Sequence, residues 1–119
     1  MSIRRIVPNI HVEAEERWNT SREFYGLLGF EEVMDMGWVT TLASPTNPTA
    51  QISLFTDERT APVVPDLSVE VEDVDAVYAQ VVASGAEIVR EPRDEEWGVR
   101  RFFVRDPNGR VVNVLTHRS

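Results

Sequence analysis

One order of elements occurs twice in this chain, and that repetition limits the possible fold more than any single motif. Glycines at positions 29 and 85 each close a stretch whose apolar residues recur at helical spacing, and strand-like segments follow both. In the first half, residues 3–12 read as a strand and 13–28 as a helix with Ala14, Trp18, Tyr25 and Leu28 on one face. Strands over 30–36, 37–43 and 50–56 follow, with the two-proline cluster 44–49 as a turn. In the second half, residues 66–72 alternate polar and apolar, and Asp73 stands as N-cap to a helix with the stripe Val74, Val77, Tyr78 and Val81. Strands over 86–90, 99–105 and 110–117 complete it, separated by an acidic loop at 91–98 and the turn Asp106-Pro107-Asn108-Gly109. Corresponding positions keep nearly constant offsets: Val7 matches Asp66 and Ser53 matches Asn113. Each half is therefore β-α-β-β-β, and 119 residues form a single domain of module 1–56, linker 57–65 and module 66–119.

A sheet backed by one helix keeps a second face. Alternation assigns to it Val7, Asn9 and His11 in the first strand and Gln51, Ser53 and Phe55 in the fourth. It adds Asp66, Ser68 and Glu70 in the fifth strand, and Val111, Asn113, Leu115 and His117 in the last. Asn, Gln, Ser and Phe suit the lining of a ligand pocket better than a solvated surface.

The side-chain inventory excludes several chemistries. There is no cysteine and no lysine, all 12 basic residues are arginine, and there are two histidines, His11 and His117. Thiolate nucleophiles, iron–sulfur clusters, Schiff bases and P-loop lysines are thereby absent. The net charge of −8 is shared evenly, −4 in residues 1–60 and −4 in 61–119. An acidic chain repels phosphate backbones, so no nucleic-acid partner is expected, while a cationic small ligand suits it. No apolar run approaches the roughly 20 residues that span a bilayer. The expectation is a cytoplasmic protein with no membrane partner.

The run Phe24-Tyr25-Gly26-Leu27-Leu28-Gly29-Phe30-Glu31 resembles the helix-end signature of the vicinal oxygen chelate superfamily, which includes glyoxalase I, bleomycin resistance proteins and extradiol dioxygenases. Val71-Glu72-Asp73-Val74-Asp75, Gly85-Ala86 and Val104-Arg105-Asp106-Pro107-Asn108-Gly109 agree with it in the second half. The resemblance implies an α+β fold of two βαβββ modules closing a half-barrel around a pocket, and a homodimer. In metal-using members of that superfamily, four ligands come from the first, fourth, fifth and eighth strands. Here those slots fall on Val7, Ser53, Asp66 and Asn113. Valine cannot ligate, serine and asparagine are weak neutral donors, and catalytic divalent sites need several imidazoles or carboxylates.

The reading that follows is a metal-independent small-molecule-binding protein with no cofactor and no catalytic residue, sequestering a cationic or aromatic antibiotic-like ligand. Asn9, Trp38, Ser53, Asp66, Ser68, Trp97 and Asn113 are its ligand-binding residues, and the loop 94–97 sits where a lid could close. The alternative is a divalent-metal lyase or dioxygenase of the same superfamily. His11, Glu70 and His117 each lie four residues beyond a slot on the same strand face, and together they would make a displaced metal set. A third possibility is metal-free acid–base chemistry by Asp66 or His11. Arg100 and Arg101 could clamp a carboxylate, with salt bridges as the simpler role for Arg100.

Overall fold

The structure is a computed structural model that describes residues 2–13, 16–58 and 61–118. Its elements run β1 (Ile3–His11), α1 (Glu16–Leu27), β2 (Glu31–Asp35), β3 (Val39–Ala43), β4 (Gln51–Phe55), β5 (Leu67–Val71), α2 (Val74–Ala83), β6 (Ile88–Asp94), β7 (Val99–Arg105) and β8 (Val111–His117). The architecture is α+β, with strand–helix–strand–strand–strand occurring twice. Two compact units are formed: Val7–Val64, the first, and Met1–Ile6 with Pro65–Ser119, the second.

Both helices end the same way. Gly29 has φ 110° and Gly85 has φ 84°, a left-handed conformation that an L side chain adopts only at a cost. The amide of Phe30 donates to Tyr25 O at 3.2 Å and that of Gly29 to Gly26 O at 3.0 Å. Ala86 donates to Val81 O at 3.3 Å and Gly85 to Val82 O at 3.0 Å. This six-to-one and five-to-two pairing is the Schellman closure. Asp73 caps the start of α2, its side chain accepting from the Ala76 amide at 3.1 Å.

In the first unit the strands lie in the order β2-β3-β4-β1, with β1 and β4 parallel and Asn9 opposite Ser53. In the second the order is β6-β7-β8-β5, with β5 and β8 parallel and Ser68 opposite Asn113. The duplication read from the sequence is therefore present in the strand register.

Each helix packs on one face of its sheet. Trp18 and Tyr25 of α1 cover Val12, Leu42 and Leu54, while Val77, Tyr78 and Val81 of α2 cover Val71, Phe102, Val104 and Val114. Phe102 is fully buried, worth about 1.5–3 kcal/mol relative to exposure.

Three expectations change. Leu28 does not join the α1 stripe and is 65% exposed. The helix has already ended, and Phe30, edge-on to Tyr25 at 6.1 Å, takes its place. Ala14, assigned to the same stripe, lies outside the described residues. The sixth strand does not stop at Arg90 but runs to Asp94. Pro92 is tolerated because β6 is an edge strand with register shifts on either side of Arg90. The acidic loop is consequently a tight hairpin turn, with Glu95 N donating to Val99 O at 2.7 Å and Gly98 N to Glu95 O at 3.2 Å. Among the described residues no helix is long and apolar enough to cross a membrane.

Candidate functional site

In the second unit the face away from α2 is built by alternation. It carries Ser68 and Glu70 from β5, Asn113, Leu115 and His117 from β8, Arg101 and Phe103 from β7, and Arg90 from β6. Register aligns Ser68, Asn113, Phe103 and Arg90 in one row across the sheet. The centre of this row is not solvated: Ser68, Asn113 and Phe103 are all buried.

Asn113 Nδ2 donates to Ser68 Oγ at 3.0 Å. Its Oδ1 is buried and has no hydrogen-bond partner among the described residues. A buried amide oxygen left without a donor costs about 1–3 kcal/mol, so a bound donor at this point is favoured.

Beside it, charge and aromatic rings interleave. The guanidinium of Arg101 stands 4.9 Å from the Phe103 ring centroid and 5.1 Å from that of Trp97, and Arg90 stands 5.8 Å from Phe103. The fully buried carboxylate of Glu95 pairs with Arg90, with Arg101 at 3.2 Å and with Arg93 at 3.4 Å. Of this group only Trp97 and Arg101 were singled out by the sequence. Arg101 and Phe103 were findable by extending the alternation of Asn113 and Leu115 into β7. Glu95 was hidden because a run of acids reads as a solvated loop.

The other second-unit candidates fall around this row. Asp66 is exposed, and its Oδ2 accepts from the Val111 amide at 2.8 Å while its own amide donates to Val111 O at 2.8 Å. Its carboxylate therefore anchors the start of β8. Glu70 bonds His117 Nδ1 at 3.0 Å and Arg5 Nε at 3.0 Å. His117 is held at the end of a paired strand, opposite Val99. Arg100 turns to Asp75 at 3.0 Å and Asp94 at 3.2 Å. Hydrogen bonds from Asp75 first, then Asp94, raise its pKa above the ordinary guanidinium value, and it serves as a surface ion pair.

In the first unit, Ser53 is buried and shares a hydrogen bond with Thr41 Oγ1 at 3.1 Å. Asn9 lies opposite it in register. The Trp38 ring packs against Phe55 at 5.8 Å, and both side chains of that pair belong to the β3–β4 end of the sheet. His11 Nε2 lies 3.2 Å from the Thr56 carbonyl oxygen, to which its N–H donates.

The donor set does not fit a divalent ion. Val7 is a buried hydrocarbon, the Ser53 hydroxyl is engaged with Thr41, the Asp66 carboxylate holds a backbone amide, and Asn113 is tied to Ser68. Among the described residues no three of His, Cys, Asp and Glu come together as a metal set.

The model of the Glyoxalase/Bleomycin resistance protein/Dioxygenase superfamily matches residues 16–114. Among solved structures, a member of that superfamily from Vibrio splendidus superposes with a TM-score of 0.66 at 19% identity, over 97% of this chain and 99% of the other. The Streptomyces coelicolor methylmalonyl-CoA epimerase, solved with 2-nitronate-propionyl-CoA, gives 0.69 at 19%, over 99% of this chain and 100% of that one. The Mn(II)-bound glyoxalase from Novosphingobium aromaticivorans gives 0.64 at 20%, over 96% of this chain and 38% of that one. At these identities the likeness is one of fold. No curated protein gives a match in sequence.

Proposed function

Because the chain belongs to the Glyoxalase/Bleomycin resistance protein/Dioxygenase superfamily, we propose that it binds and sequesters a small aromatic, antibiotic-like molecule without using a metal ion. The single observation that carries this reading is the chemistry of the four slot residues. One is a hydrocarbon, the Ser53 hydroxyl is shared with Thr41, Asp66 Oδ2 holds the Val111 amide, and Asn113 is a neutral amide whose nitrogen is tied to Ser68. A site so composed has no imidazole, and its one carboxylate holds a backbone amide. Lewis-acid chemistry at those four positions has no ligand set to support it.

The binding surface in this reading includes the second unit's face. Trp97 offers a planar ring, and Asn113 Oδ1 offers an acceptor for a ligand N–H or O–H. Ser68 orients the Asn113 amide. Asn9, Trp38 and Ser53 are the corresponding choices in the first unit. A homodimer in the cytoplasm completes the proposal. The cationic ligand suggested by net charge finds little support on the second unit's face, where Arg90, Arg93 and Arg101 gather round Glu95.

The test is a tryptophan-fluorescence titration with planar aromatic antibiotics, in the presence and absence of EDTA. Saturable quenching that EDTA leaves intact, and that weakens by about tenfold or more in Asn113→Ala through loss of a buried hydrogen bond, supports the reading. Binding that appears only with added divalent metal overturns it.

A further inference from the structure

We propose that the first unit carries a separate binding site for a small alkylammonium cation. It is an open pocket of about 300 Å³ lined by Val12, Glu13, Trp18, Gly37 and Thr56. These residues come from the end of β1, the start of α1, the β2–β3 turn and the end of β4. The site is distinct from the residues assigned above to the aromatic ligand.

Charge selects the ligand. Among the described residues Glu13 is the one charged side chain on the wall, and its carboxylate has no ion pair or hydrogen bond with any of them. The cavity lies near the N-terminal end of α1, whose dipole presents about +0.5 elementary charge and so favours anions. A full carboxylate exceeds that half charge, and Glu16 in the first turn adds a second negative group to the helix end. Among the described residues the balance at the wall is negative. An anion is repelled, and a neutral molecule gains nothing from the carboxylate's charge.

Shape and surface narrow the class further. The indole of Trp18 and the side chain of Val12 give an apolar wall, and an aromatic ring attracts a cation through its quadrupole. A ring beside a carboxylate suits an alkylated ammonium group, which is apolar at its surface and charged at its centre. A volume near 300 Å³ is at the small end for ligand pockets, so the ligand carries few heavy atoms beyond that head group.

The walls are fixed before any ligand arrives. Asp35 Oδ1 accepts from the Gly37 amide at 2.9 Å and from Thr40 Oγ1 at 3.3 Å, which sets the β2–β3 turn. Thr56 N donates to Trp38 O at 3.0 Å, and Val12 N to Phe55 O at 2.7 Å. Binding therefore orders little of these three segments, which favours measurable affinity for a small ligand.

The experiment is a calorimetric titration of the whole chain with choline and with 3,3-dimethylbutan-1-ol, which has the same shape and no charge. Choline is expected to saturate one site per chain, and the alcohol to bind about tenfold more weakly or not at all. Glu13→Gln, at an exposed position that leaves the fold intact, is expected to weaken choline about fivefold and leave the alcohol unchanged. Trp18→Phe, which keeps a ring against Leu54, is expected to weaken choline less than Glu13→Gln. Absence of saturable choline binding, equal binding of the alcohol, or an unaffected Glu13→Gln variant each overturns the proposal.

Discussion

Replacing Glu95 by Gln removes one negative charge and almost no volume, so its cost reports on electrostatics rather than on packing. The Glu95 side chain is wholly buried, and the side chains of Arg90 and Arg101 beside it are 9% and 4% exposed. Removing one partner of a buried ion pair costs about 3–5 kcal/mol, because the remaining charge keeps its desolvation penalty and loses its counterion. Unfolding entropy of about 2.1 cal/mol/K per residue makes 1 kcal/mol worth about 4 °C in a chain of 119 residues. Glu95→Gln is therefore expected to lower Tm by about 12–20 °C in thermal unfolding followed by circular dichroism. The internal control is Asp75→Asn. It removes the partner of Arg100 on a surface where Asp75 is 60% exposed, and exposed pairs are worth at most about 1 kcal/mol. A third variant, Glu95→Leu combined with Arg90→Leu and Arg101→Met, removes the charges together and is expected to recover much of the loss. If Glu95→Gln melts within a few degrees of Asp75→Asn, the carboxylate is not held among desolvated guanidiniums and the reasoning fails.

Other substitutions test the framework that positions the face. Asp73→Ala removes the N-cap of α2 and is expected to cost about 1 kcal/mol by urea denaturation. At Gly85 an added Cβ meets no atom within 4 Å, so Gly85→Ala isolates the backbone cost of φ 84°, expected at about 1–2 kcal/mol in the same assay. Phe102→Ala empties the centre of the α2 core and is expected to cost about 3–5 kcal/mol, with an unchanged m-value if the unfolded state is unaffected.

The helix stops and the strand faces were legible because they rest on local chemistry. Gly29 and Gly85 close helices through left-handed backbone, and alternation in β5 and β8 fixes which side chains face away from α2. The end of β6 was not legible. Pro92 and the acidic run resemble a solvated loop, yet an edge strand tolerates the proline, and Glu95 is drawn inward by three arginines whose proximity is tertiary. Leu28 was misplaced for a simpler reason. Helical spacing alone does not mark the residue at which the Schellman closure turns the chain, and there Phe30 replaces it against Tyr25. In the candidate site, residue types at the four slots came from the sequence, but their engagement by Thr41, Val111 and Ser68 needed coordinates. Glu70 and His117 meet within the second unit, and His11 bonds the Thr56 carbonyl within the first, neither of which strand spacing alone decides.

The most direct measurement is a calorimetric titration of tag-free, chelator-treated protein with Mn(II), Ni(II) and Zn(II). Val7, Ser53, Asp66 and Asn113 offer no ligand set, so the account predicts no stoichiometric site for any of the three ions, and aromatic-ligand binding that is the same with and without them. One tightly bound equivalent per chain, lost in Asp66→Asn or Asn113→Ala, would contradict it.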